Sequence, residues 1–127
     1  MKVAVSAIDN SLDSQIDQRF GRCRYFLIID PETMELEAVS NKGASASGGA
    51  GIQAAQTVAN KGVGVLITGD IGPNAFQTLS SAGIKVITGA SGTVKEALER
   101  YKSGSLQQAS GATAKIHAGI KGRRGGE

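Results

Sequence analysis

Apolar residues first recur at every second position along this chain, then fall into short unbroken runs, then return at helical spacing. Lys2 to Ile8 puts Val3, Val5 and Ala7 on one face, as a half-buried strand does. Asp9 to Gly21 is polar and is expected to be a loop. Tyr25 to Ile29 is a continuous apolar run between Arg24 and Asp30, consistent with a buried strand. Asp30-Pro31-Glu32-Thr33 has turn chemistry, with proline presetting φ at the second position. Met34 to Ser40 then alternates, with Met34, Leu36 and Ala38 on one face and Glu35 and Glu37 on the other. Residues 25–40 therefore predict a β-hairpin.

The second half changes period. Gly43 to Gly51 is a glycine-serine segment, expected to be flexible. Ile52, Ala55, Val58 and Ala59 follow at helical spacing, and Lys61-Gly62 ends that helix. Val63 to Thr68 reads as a buried strand. Pro73 stands at a first helical position, Phe76 and Leu79 share a face, and Gly83 closes the helix. Ile84 to Ile87 is another short strand. Thr93 and Glu96 have capping-box spacing ahead of Val94, Ala97, Leu98 and Tyr101. From Lys102 the pattern fails, and disorder is expected after about Leu106.

The predicted order is β-β-β-α-β-α-β-α, an α/β class with antiparallel neighbours in residues 1–40 and parallel pairing in 52–101. If the first three strands run up, down and up, and the last two up, the loops at 9–24, 41–51, 68–73 and 88–93 share one edge. Open α/β sheets bind ligands at the carboxyl ends of their strands.

A length of 127 residues fits one domain, placed at 1–106, with a tail at 107–127. Only five residues are Phe or Tyr, so the core is aliphatic. No apolar run approaches the ~20 residues that cross a bilayer, and one cysteine forms no internal disulfide; the expected compartment is the cytoplasm. The net charge of +3 is uneven. Residues 1–101 hold nine basic and ten acidic side chains, whereas 102–127 hold five and one. The high pI thus belongs to the tail, which leaves the folded part a poor nucleic-acid binder and gives at most weak contact through the tail.

Arg19-Phe20-Gly21-Arg22-Cys23-Arg24-Tyr25-Phe26 is the most chemically suggestive stretch. Neighbouring positive charge favours a thiolate at Cys23, the form that ligates metal. Arginines suit an anionic ligand because guanidinium is always charged and offers several donors. The alternative is a small buried hydrophobe flanked by solvated arginines. Strand alternation is expected to keep Arg19, Arg22 and Arg24 from all pointing one way. Gly43–Gly51 lacks the ending of a phosphate-binding loop and the spacing of a dinucleotide fingerprint, so it is either a linker or an amide-rich ligand loop. Gly69 to Gly72 is either a tight βα turn or a second such loop. His117, the sole histidine, lies in the tail and makes a poor base or ligand. Asp9 and Asp70 follow strands that could be neighbours, which leaves a metal-dependent nuclease as a remote alternative.

In this order these stretches resemble the dinitrogenase iron–molybdenum cofactor biosynthesis family, which includes NifX, NafY and the carboxyl-terminal domain of NifB. The matching pieces are Met1–Ser6, Arg19–Phe26, the glycine-rich approach to the first helix, Val63–Ala75, Leu79–Val86 and Thr93–Leu98, all within residues 1–106. The resemblance implies a ribonuclease-H-like three-layer fold with a mixed five-stranded sheet. It implies a non-enzymatic role, binding or carrying anionic metal–sulfur clusters; members carry nitrogenase cofactor precursors and, in the related orange protein, a molybdenum–copper sulfide. An iron–molybdenum or iron–sulfur type cluster is then the expected cargo, and a cluster donor or acceptor protein the expected partner. Arg19, Phe20, Gly21, Arg22, Arg24, Ser45, Ser47, Gly48, Gly49, Gly51, Gly69 and Gly72 are the expected binding residues, with Cys23 a candidate ligand. Many members carry histidine just before the Phe-Gly pair; Arg19 stands there, leaving a metal-ligand position without a ligand. A single thiol cannot hold a four-cysteine cluster, so binding is electrostatic, uses exogenous thiols, or shares ligands across a homodimer. The multi-cysteine radical domain of NifB is absent, and membership does not entail a nitrogenase role. A regulatory module for a phosphate-bearing metabolite or a protein is the competing reading.

Overall fold

The computed structural model describes residues 1–44 and 48–106. Expectations for Ser45, Ser47, His117 and the 107–127 tail lie outside the described residues. Five strands form one mixed sheet: β1 (Val3–Ala7), β2 (Tyr25–Ile29), β3 (Leu36–Ser40), β4 (Val65–Ile67) and β5 (Lys85–Ile87), in the spatial order β3-β2-β1-β4-β5. The β1–β2 and β2–β3 pairs are antiparallel; β1–β4 and β4–β5 are parallel. Three helices complete the chain: α1 (Ala50–Ala59), α2 (Pro73–Ser81) and α3 (Val94–Lys102).

The two-residue period of the strands decides the layers. Ala4, Phe26, Ile28, Leu66 and Val86 face one way and pack with Ala54, Ala55 and Val58 of α1 and Leu79 of α2. Val3, Val5, Leu27, Ile29, Val65 and Ile67 face the other way, against Val94, Ala97 and Leu98 of α3. A strand covered on both faces needs apolar residues throughout, and every residue of β1 and β4 is buried. Edge strand β3 is the opposite: only Val39 is even half-buried.

Several boundaries shift for local reasons. The Met34 N–H donates to the Asp30 carbonyl at 2.7 Å, and Met34 takes φ 65°. That residue is spent in the turn, so β3 begins at Leu36. α1 starts at Ala50 instead of Ile52, absorbing the end of the segment expected to be flexible, with Gly49 at φ 73° turning the chain into it. Pro73 opens α2 at its first turn. Thr93 and Glu96 close the reciprocal capping box at 3.1 and 2.9 Å.

The polar stretch after β1 is pinned along its length. Ile8 and Asp17 N–H groups bond to the Gln15 and Ser6 carbonyls. Ile16 donates to Gly92, Asp70 to Gln18, and Phe20 to Asp70, at 2.9, 2.7 and 3.2 Å. These bonds join the loop to the exits of β4 and β5. The strand directions send all four loops to the carboxyl edge, as connectivity predicts.

Candidate functional site

Residues 19–24 do not continue a strand. Phe20–Arg22 forms a 3₁₀ turn, and β2 begins only at Tyr25. This corrects the expectation from strand alternation. Arg19, Arg22 and Arg24 line one open cleft of about 510 Å³, together with Ile8, Ile16, Asp17 and Gln18. Three arginines and a single acid line it, so the cleft favours an anion.

Individual contacts hold the rim in place. Asp17, a buried carboxylate not singled out from sequence, accepts from the Arg19 backbone N–H at 3.0 Å and from Nε at 3.4 Å. Arg22 Nη1 donates to the Ala44 carbonyl at 2.7 Å. The Arg24 guanidinium lies 5.9 Å from the centre of the Tyr25 ring, within cation–π range. All three arginines are exposed. Ile8, 49% exposed, adds an apolar patch to the mouth.

Phe20 points the other way. It is buried against Phe26, ring centres 5.3 Å apart, and anchors the 3₁₀ turn in the core on the α1 side. Cys23 joins it there with no accessible surface. Desolvation, with the Asp17 carboxylate adding to it, pushes the thiol from 9.0 up to about 12. The expectation of a thiolate favoured by its flanking arginines is not met, because their charges sit in solvent while the sulfur sits in the core. Asn41, also unsuspected from sequence, donates from Nδ2 to the Cys23 carbonyl at 2.9 Å and to the Gly21 carbonyl at 3.2 Å. Its Oδ1 is buried without a partner. Nothing in the Asn-Lys-Gly spacing distinguishes this buried clamp from an ordinary turn residue.

Two of the glycines expected in the site, Gly21 and Gly69, permit close backbone approaches beside the cleft. A Cβ on Gly21 would come within 3.1 Å of the Gly51 backbone, so the 3₁₀ turn rests directly on the start of α1. A Cβ on Gly69 would lie 2.7 Å from Gln18 Cα, so only glycine lets the arginine loop pass over the end of β4. Gly48 and Gly49 are exposed, and Gly72 caps α2. α1 and α2 have no side-chain cap and no acid in their first turns. Asp9 and Asp70 are exposed, and the Asp9 carboxylate accepts from the Asn10 N–H at 2.8 Å. Among the described residues no three His, Cys, Asp or Glu side chains gather where they could hold a metal ion. No described helix is long and apolar enough to cross a membrane.

A three-layer α/β domain with an arginine-lined cleft at the carboxyl edge of its sheet is the class these features define. The chain belongs to the dinitrogenase iron-molybdenum cofactor family, whose model matches residues 1–104. The apo form of the orange protein from Desulfovibrio gigas is similar, with 44% identity and a TM-score of 0.86, covering 88% of this chain and 95% of that one. A Thermotoga protein regarded as a candidate NifB protein shows 38% identity and a TM-score of 0.78, over 90% and 97% of the two chains. An uncharacterized protein from Methanocaldococcus jannaschii is 31% identical over 111 residues, 85% of this chain and 91% of its own.

Proposed function

We propose that this protein is a small, non-enzymatic carrier for an anionic iron–sulfur or iron–molybdenum–sulfur cluster, or a precursor of one. The observation that carries this reading is the gathering of Arg19, Arg22 and Arg24 around one cleft. Family membership adds to it, as does likeness to the orange protein and to the candidate NifB protein. The cluster is cargo, held by charge and hydrogen bonds from the guanidinium groups. Cys23 takes no part as a ligand while it is buried and protonated. Cargo bound without protein thiolates keeps its coordination intact for transfer to an acceptor protein. The open mouth, with exposed Ile8 beside it, suits that exchange.

Anaerobic reconstitution with iron, molybdate and sulfide, followed by metal analysis, tests the reading. Wild type and Cys23→Ala are expected to retain metal equally. The Arg19→Gln/Arg22→Gln/Arg24→Gln variant is expected to bind at least roughly 100-fold more weakly, since each charge-assisted hydrogen bond contributes about 1.5–3 kcal/mol. No metal on wild type removes the carrier reading. A shift in thermal stability with phosphate-bearing metabolites in its place would assign the same arginines to a regulatory ligand.

A further inference from the structure

The cleft that gathers three arginines also holds a carboxylate, Asp17. Its side chain is only 9% exposed. A negative charge in that wall repels the anion that the arginines attract. A buried carboxylate also costs more to desolvate than a neutral residue in the same place. The carrier reading leaves this acid without a role.

The sheet sets its position. The Asp17 N–H donates to the Ser6 carbonyl at 3.0 Å, and Ser6 Oγ donates to the Asp17 carbonyl at 2.8 Å. Ser6 Oγ lies 2.7 Å from Oγ1 of Thr68, the residue after β4, so the exits of β1 and β4 together fix Asp17. The carboxylate then turns to Arg19. Oδ1 accepts the Arg19 backbone N–H at 3.0 Å and the Nε–H at 3.4 Å.

These two contacts differ in how readily they break. The Arg19 backbone is held on both sides: Phe20 donates to the Asp70 carbonyl at 3.2 Å, and Asp70 donates to the Gln18 carbonyl at 2.7 Å. The Arg19 side chain is 70% exposed, and its Nε contact is long. Such an exposed ion pair is weak. The guanidinium can therefore leave while the acid stays. Asp17 then keeps the backbone N–H, so the departure does not strand a buried carboxylate without a donor.

We propose that Asp17 is the resident counter-ion of the cleft: it holds the Arg19 guanidinium while the cleft is empty, yields it to an entering anion, and takes it back on release. This rests on the carrier reading and adds control of cargo exchange to it. Asp17 weakens binding in two ways, by its own charge and by competing for Arg19. It also gives Arg19 a partner as the anion departs, which speeds release. The cleft thus binds less tightly than its three arginines would alone, as a protein that must hand over its cargo requires.

Tetrathiomolybdate, a metal–sulfur dianion, is the probe. Affinity and release rate are measured for wild type, Asp17→Asn, Arg19→Gln and the double variant. Asparagine keeps an Oδ1 for the Arg19 backbone N–H and removes the charge. Asp17→Asn is expected to bind about tenfold more tightly, the scale of one screened charge pair, with most of the gain in slower release. In the Arg19→Gln background the same change is expected to gain about threefold or less, because no guanidinium remains to compete for. In wild type, saturation with the probe is expected to shift the Arg19 Nε–H resonance in an NMR spectrum, which decides the matter even if Asp17→Asn does not fold. Equal or weaker binding by Asp17→Asn overturns the proposal. So does an equal gain in both backgrounds, or an Nε–H resonance unmoved at saturation. Where wild type binds the probe, those results leave the carrier reading standing; no uptake by either wild type or Asp17→Asn removes both.

Discussion

Arg22 and Cys23 are adjacent in the chain, yet the arginine stands in solvent and the thiol has no accessible surface. The same division runs through the whole octapeptide. Arg19, Arg22 and Arg24 form a rim around the cleft; Phe20, Cys23 and Phe26 turn the other way, into the core on the α1 side. The 3₁₀ turn makes the separation by releasing the segment from strand alternation. Charge next to a cysteine in sequence therefore does not activate it, because the two side chains see different dielectrics. Rim residues stand where a ligand can reach them; core residues serve the fold that presents them.

The largest test of this division is Phe20→Ala. Emptying that buried site should cost about 3–5 kcal/mol in a urea titration. Arg22→Gln should cost about 1 kcal/mol or less, since its side chain is exposed and its bond to the Ala44 carbonyl faces solvent. Comparable losses in the two variants would erase the distinction between rim and core.

A second test uses the thiol's titration. The folded protein holds Cys23 neutral up to about 12, whereas an unfolded thiol ionises near 9.0. The neutral thiol's contribution to stability is complete below pH 9 and is lost as pH climbs toward 12. Wild type should therefore lose stability across that window relative to Cys23→Ala, measured by denaturation at a series of pH values. A parallel loss in Cys23→Ala would place the cause elsewhere. At neutral pH the native thiol should also react with an aromatic disulfide at least roughly 100-fold more slowly than the urea-unfolded thiol. Thr93→Ala is expected to cost about 1 kcal/mol from the lost cap, with anion affinity at the arginine cleft unchanged. A fall in that affinity would mean that the α3 cap supports the rim through Gly92 and Ile16.

The sequence was most informative where structure depends on near neighbours. The capping box at Thr93, the proline opening α2 and the alternating strands each rest on contacts within a few residues, and each was legible. The mixed sheet followed from element order. The course of residues 9–24 was not legible, because its bonds reach Asp70 and Gly92, far away in sequence. The gathering of the arginines depended on that same course. Asp17 and Asn41 escaped notice for a related reason: polar residues in polar loops give no sign that they will be buried. Cys23 offered two readings, and burial, a property of the assembled core, decides between them.

The arginine loop is stitched to β1 and to the exits of β4 and β5 by backbone hydrogen bonds before any ligand arrives. An anion entering the cleft has no loop to fold, so the entropy of ordering that backbone is already spent in making the domain. Capture should then proceed at a rate set by diffusion and by the field of the guanidinium groups, slowing as salt screens them. The exposed arginine side chains have only to turn toward it from Asp17, the Ala44 carbonyl and the Tyr25 ring. The protein behaves as a fixed socket with soft contacts, and release needs no unfolding of the wall that made the fit.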